Sequence, residues 1–274
     1  MNLPPFTGWV KRIVLTCAGV YLLEIGLGLS ASSAQKFLIQ YFGLVPDYVT
    51  HYGMVWQLAT YSLLHDPSGV WHLIMNMFGL WMFGSLLERT WGSRKFLELY
   101  LFSVIGAGLI TVAVAYIPHI GTTPKMVTIG ASGGVLGLLS AFGVAFGDME
   151  FSLWFPPITM KAKYLAWITA FFVVVATLMP SQGGVANFAH LGGLLFGFVY
   201  AKFLPTRGLV FGTSEKYFSL RNSYYRWKRR RAARKFEVYM RDQNRTVTFD
   251  EHGNFVPPEE SDKKNGGGKS GWVN

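Results

Sequence analysis

The chain has 274 residues, of which 51% are hydrophobic and 15% charged, with a formal net charge of +10. Soluble domains carry about a quarter charged residues, so this composition and a mean hydropathy of +0.28 exclude an ordinary soluble globular protein and point to the bilayer. The single cysteine, Cys17, excludes an intrachain disulfide and a thiolate-based structural metal site.

A helix needs ~20 apolar residues to cross a bilayer. Taken in chain order, residues 13–29, 70–87, 96–117, 129–146, 164–179 and 185–204 are the candidate spans, and an all-α bundle of six transmembrane helices is expected. The first is not followed by a small-residue cleavage site and reads as a retained helix rather than a signal peptide. The fourth and fifth are short, which a bilayer tolerates only where exposed backbone meets protein or a water-filled cavity. A wet pocket beside the fourth span is the consequence. Between the first two spans, residues 31–68 hold Tyr41, Tyr52, Trp56 and Tyr61. That stretch is too hydrophobic for a free loop and is expected to lie partly in the outer leaflet, where aromatic side chains are favoured.

Lys11 and Arg12, then Arg89, Arg94 and Lys95, then Lys161 and Lys163, then Lys202 and the tail all fall on one side of the expected bundle; the other side holds Lys36 and Lys125. Positive residues mark the inner face, so both termini are expected in the cytoplasm, and the second, fourth and sixth spans run from outside to inside. A plasma or inner membrane would be the site in a bacterium. The core is expected over residues 1–205 and a basic soluble tail over 206–274. That tail holds 15 Lys and Arg against 8 Asp and Glu, a net +7. Its stretch 226–235 has helical character, and a polybasic helix just inside a membrane is drawn to anionic lipid headgroups; nucleic-acid binding is the weaker reading. Residues 265–271 are glycine-rich and expected to be disordered.

Polar side chains inside spans are costly and mark function. His72 and Asn76 fall in the first turns of the second span, Ser132 in the first turn of the fourth and His190 in the first two turns of the sixth. With a rise of ~1.5 Å per residue and the three spans parallel, all four share a depth within roughly 10 Å of the outer boundary. His72 and Asn76, four apart, share one helical face. Ser132 sits among Gly130, Gly133, Gly134 and Gly137, which admit a peptide and leave backbone N–H groups free at a helix start, where an oxyanion is favoured. Gly193 and Gly197 form a GxxxG face after His190. Packed on the fourth span, that face would bring the imidazole to the Ser132 hydroxyl as general base.

GASGG at 130–134 is similar to the rhomboid GxSG motif, NFAHLGGLLFG at 187–197 resembles the AHxxGxxxG of the last core helix, and HLIMN at 72–76 resembles HxxxN. The match covers roughly residues 10–204. The resemblance implies an intramembrane serine protease with Ser132 as nucleophile and His190 as general base and acid. It also implies an oxyanion hole from His72, Asn76 and the Ser132 backbone N–H, and no third, acidic member. The clients would be transmembrane proteins, cut near small or helix-breaking residues, and no cofactor or metal would be required. Leu136 stands where several members carry an aromatic that stacks on the catalytic histidine, so Phe188 or Phe196 is expected to support the ring. Gln57 follows Trp56 where some members carry arginine, so the anchoring of the first loop is expected to differ.

The competing readings are plainer. A serine among glycines in a membrane helix is usually a packing residue, and GxSxG as a nucleophile elbow needs a strand and an α/β sheet that this chain lacks. HExxH or a carboxylate cluster for a metal is absent. His51, His65 and His119 receive no role and are expected in loops or interfaces. Glu24 and Glu98 are expected as interface residues or helix–helix hydrogen bonds, and Trp71, Trp81, Trp91 and Trp167 as interfacial anchors or packing. The alternatives in function are a catalytically silent relative that binds transmembrane clients, and a small transporter. Silent relatives usually lose the serine or the histidine, and a transporter would place its polar cluster at the midplane.

Overall fold

The computed structural model describes residues 4–6, 8–118, 120–152, 159–179, 184–203 and 209–256. Helix dominates, in two compact units, Met1–Gly208 and Leu209–Asn274. His119 and residues 265–271 lie outside the described residues.

The first unit opens with α1 (Gly8–Ser30). Its unpaired N-terminal N–H groups meet a carboxylate from another helix: Trp9 N donates to Glu88 Oε1 (2.8 Å) and Val10 N to Glu88 Oε2 (3.0 Å). Gly8 has φ +63, and a Cβ there would strike that carboxylate. Glu88 belongs to α5 (Val70–Trp91), so one buried side chain caps α1 and fastens it to α5.

Residues 31–68 fold rather than loop. They form α2 (Ser32–Phe42), α3 (Pro46–His51), α4 (Gln57–Thr60) and a 3₁₀ turn (Tyr61–Leu63). Gln57 is fully buried and ties them together: its Oε1 accepts from Val45 N (3.0 Å), while its Nε2 donates to the carbonyls of Gln40 (2.9 Å) and Tyr41 (3.2 Å). Anchoring therefore falls on the position where it was expected to differ, carried by a neutral amide. Trp56 packs against Tyr41 with the rings tilted, 5.3 Å between centroids, and donates from Nε1 to the Tyr41 carbonyl (3.0 Å).

Then come α6 (Ser93–Val114), α7 (Ser132–Ala145), a short antiparallel pair of β1 (Glu150–Ser152) and β2 (Thr159–Lys161), α8 (Ala162–Leu178) and α9 (Gly184–Phe203). Among the described residues, α1, α5 and α6 are long and apolar enough to cross a membrane, and α7 and α8 are shorter apolar helices. The core lies where α6, α7 and α9 pack on one another. Nine of the 14 residues of α7 are buried, which makes it the centre of the bundle. α8 is its opposite: Ala162 alone is buried, and Trp167, Phe171, Phe172 and Leu178 face outward. So much exposed apolar surface is unfavourable in water and suits acyl chains.

Glu24 and Glu98 both bond between elements. Tyr200 of α9 donates its hydroxyl to Glu98 Oε2 (3.3 Å), and Arg94 pairs with Glu98 along α6 (3.4 Å). His65, expected at an interface or in a loop, is fully buried in the turn before α5.

In the second unit, α10 (Leu209–Asp242) spans the basic stretch as one long helix. A hairpin of β3 (Thr248–Phe249) and β4 (Phe255–Val256) folds back on it, with Phe249 edge-on to Phe236 and Arg229 donating to Asn254 Oδ1 (3.3 Å). Arg231 lies over the Trp227 ring, 5.5 Å from its centroid, a cation–π contact.

Candidate active site

The segment entering α7 is held by the folded connection before α5. Leu44 and Thr128 exchange two backbone hydrogen bonds of 2.9 Å, and Gly130 N donates to the Tyr61 carbonyl (3.0 Å). Tyr61 is buried, and its hydroxyl donates to the Val104 carbonyl of α6 (2.9 Å). The chain then turns through Gly130 at φ +120, a conformation that favours glycine, and α7 starts at Ser132. The first helix-closing bond runs from Val135 N to the Ala131 carbonyl, so the N–H groups of Ser132, Gly133 and Gly134 have no partner within the helix.

The side chain that pairs with the Ser132 hydroxyl comes from α9. The Ser132 hydroxyl and His190 Nε2 are 2.7 Å apart, 58 residues distant in sequence. Glycines make the approach possible. A Cβ on Gly193 would collide with the Gly133 carbonyl, and one on Gly197 with the Gly137 carbonyl, so α7 and α9 touch backbone to backbone. Gly133 also faces Ala107 and the Tyr61 hydroxyl.

His72 and Asn76 lie on α5 at the other side of the turn. A Cβ on Gly130 would stand 2.8 Å from His72 Nε2 and 3.8 Å from Ser132 Oγ, so that ring and the hydroxyl face the same space. His72 Nδ1 accepts from Asp66 N (3.3 Å), which puts the ring proton on Nε2, the atom facing Gly130. Asn76 is buried and donates from Nδ2 to the His72 carbonyl (2.8 Å), leaving its second amide N–H for another acceptor. Asp66 makes a tight turn into α5, accepting from Ser68 N (2.9 Å) and the Ser68 hydroxyl (2.7 Å). Those bonds, the backbone N–H first, hold its carboxyl below the usual range.

The structure thus brings Ser132, His190, His72, Asn76, Gly130, Gly133, Gly193 and Gly197 into one locus. Of the two aromatics expected to support the His190 ring, Phe196 packs over Gly106 and against Phe102 (5.2 Å) instead. Among the described residues no carboxylate hydrogen bonds to His190, and no group of three His, Cys, Asp or Glu side chains could hold a metal ion. Sequence reasoning missed Tyr61, His65 and Asp66, which arrange the turn and the His72 ring. The aromatic richness of residues 31–68 was the available signal for Tyr61; a histidine and an aspartate just ahead of HLIMN were the signal for the others.

Residues 52–207 match the rhomboid domain family. The chain belongs to the rhomboid family. Among curated relatives it is 27% identical over 206 residues to rhomboid protein 1, mitochondrial, of Saccharomyces cerevisiae, covering 74% of this chain and 57% of that protein. It is 28% identical to the rhomboid protease GluP of Bacillus subtilis (69% of this chain, 33% of that one). It is 27% identical to the rhomboid protease AarA of Providencia stuartii, covering 68% of each chain. Several of these relatives are longer: the chain spans 57% of the yeast protein and 41% of RHOMBOID-like protein 6, mitochondrial, of Arabidopsis thaliana. Rhomboids are membrane-embedded, in keeping with the apolar helices described above.

Proposed function

We propose that this rhomboid is an intramembrane serine endopeptidase that hydrolyses peptide bonds in or near transmembrane segments of client proteins. The 2.7 Å hydrogen bond between Ser132 and His190 carries the reading. His190 Nε2 takes the hydroxyl proton as Ser132 Oγ attacks the scissile carbonyl, forming a tetrahedral oxyanion. The same proton then passes to the leaving amine, which departs as the C–N bond breaks. Water repeats the sequence on the acyl-enzyme, giving its proton to His190 and releasing the carboxyl product and free Ser132. The oxyanion is held by His72 Nε2–H, the free Asn76 N–H and the backbone N–H of Ser132, with the α7 dipole behind them.

In this reading α1, α5, α6, α7, α8 and α9 are six spans with both termini cytoplasmic. The 14 residues of α7 cover about 21 Å, less than the ~30 Å hydrocarbon core, so its N-terminus opens below the outer surface into water. Hydrolysis needs that water. Residues 1–205 form the catalytic core, and α10 lays its Arg- and Lys-rich length on anionic headgroups of the inner leaflet. Deleting residues 206–274 without altering retention on anionic liposomes would remove that last element.

The deciding comparison is wild type against Ser132→Ala and His190→Ala on a transmembrane substrate, scored by gel. Cleavage by wild type and by neither folded variant is expected. Equal cleavage by all three would overturn the pair, and cleavage by none on several unrelated substrates would favour a client-binding protein without catalysis.

A further inference from the structure

Glu24 has no part in the chemistry above, yet its side chain is fully buried in an apolar helix. A carboxyl group in that setting is costly and needs a partner. Its Oε2 accepts from the backbone N–H of His65 (3.2 Å), while Oε1 has no hydrogen-bond partner among the described residues. Around it, Gln35 of α2 donates to the Glu24 carbonyl oxygen (3.0 Å), and Cys17, two turns earlier on α1, reaches the Ser62 carbonyl (3.8 Å). α1 therefore grips residues 62–65 from one side.

The same strip also meets the site. The His65 ring lies 5.2 Å from the His72 ring, and the next residue, Asp66, gives its backbone N–H to His72 Nδ1. A neutral imidazole that accepts at one nitrogen donates from the other. Loss of the Asp66 N–H would free the ring to carry its proton on Nδ1 and turn a bare nitrogen toward Gly130. The grip at His65 and the choice of ring nitrogen are thus one residue apart in the chain.

We propose that Glu24 is a positioning residue for the hydrolysis: by holding the His65 N–H it keeps Asp66 N–H against His72 Nδ1 and so keeps His72 donating from Nε2 to the oxyanion. The role rests on the Ser132–His190 reading. It requires an oxygen acceptor at position 24, not a charge.

The test uses the full chain in liposomes, with active molecules counted by fluorophosphonate labelling of Ser132 to completion and turnover measured on a fluorogenic transmembrane peptide. Glu24→Leu is expected to lower kcat per labelled site about tenfold with KM within about twofold, the pattern of an interaction made in the transition state. Glu24→Gln, which keeps an oxygen acceptor, is expected to stay within about twofold of wild type. In a His72→Ala background, Glu24→Leu is expected to cause no further loss, because its effect passes through His72. Wild-type turnover in Glu24→Leu, equal damage from Gln and Leu, or losses that multiply in the His72→Ala background would each overturn the role. Glu24→Met, similar in length and without an oxygen acceptor, carries the same comparison if the leucine variant does not fold. Cleavage surviving in Ser132→Ala would overturn the serine reading itself, and Glu24's role with it; a dead Ser132→Ala beside an unaffected Glu24→Leu would overturn Glu24's role alone.

Discussion

Gly197 and Gly137 meet across α9 and α7 with no room for a side chain between them: a Cβ on Gly197 would occupy the space of the Gly137 carbonyl oxygen. Gly193 and Gly133 repeat the contact one turn nearer to His190 and Ser132. Replacing Gly193 by valine must push the helices apart. Overpacking of this kind costs about 1–3 kcal/mol, and the shift falls directly on the 2.7 Å dyad distance. Gly193→Val is expected to lower the thermal midpoint in detergent and to abolish labelling by a fluorophosphonate probe. A variant that labels like wild type would show that the two helices need not touch here.

His72 and Asn76 predict a different pattern. His72 faces the Gly130 turn and Asn76 lies one helical turn on, and in the proposed hydrolysis their work is confined to the charge that develops on the substrate oxygen. Removing one oxyanion donor costs about 10²–10³ in kcat. His72→Ala and Asn76→Ala are therefore expected to depress kcat on that scale while KM moves little, and Asn76→Ala also frees the His72 carbonyl and should lower stability slightly. Steady-state kinetics in liposomes decide it; a rise in KM at constant kcat would assign the two residues to ground-state binding instead.

These positions differ in how far the sequence could show them. Ser132, His190, His72 and Asn76 were visible because polar groups in apolar segments are rare, and because spacing on parallel spans gives depth. The Gly193 and Gly197 face was visible for a similar reason, since small residues four apart form a flat stripe. Gln57 and Tyr61 were not, because their roles are backbone hydrogen bonds to Val45, Gln40, Tyr41, Gly130 and Val104, fixed by a fold of residues 31–68 that has no periodic pattern. Phe196 shows the reverse error: an aromatic near the histidine in sequence turns to Gly106 and Phe102, because helical spacing places it on another face.

Glu88 links α5 to the start of α1 through the N–H groups of Trp9 and Val10, and also accepts from the Ser93 hydroxyl (2.6 Å). Glu88→Ala leaves donors without partners, at about 1–3 kcal/mol each when buried. A large drop in thermal midpoint is expected, with kcat of the surviving folded fraction near wild type, because none of these bonds touches Ser132. Glu88→Gln retains one acceptor oxygen and should recover part of the loss. Equal midpoints for wild type and Glu88→Ala, measured by differential scanning fluorimetry, would show that α1 is held by its apolar face alone.

His65 makes stability depend on pH in a direction that can be worked out. Burial first, then the neighbouring His72 ring, lowers its pKa from the ordinary 6.5 to about 4. Above pH 6.5 the ring is neutral in both the folded and the unfolded chain, and it adds no pH dependence. Between 6.5 and 4 the unfolded chain binds a proton that the folded chain refuses, so stability falls as the pH falls and levels off below 4. The shift allows a loss of roughly 2 kcal/mol by about pH 5. The groups that bear on this ring are His72, Asp66 and Glu24, and Asp66 already sits below its usual range through its bonds to Ser68, so it stays ionised across the window. His65→Gln removes the titration and keeps a polar side chain. Its unfolding midpoint in denaturant is expected to fall less than that of wild type between pH 7 and pH 5, by about that amount of free energy. Parallel curves for the two proteins would mean that water reaches the His65 ring and that it takes up its proton in the folded state as readily as in the unfolded one.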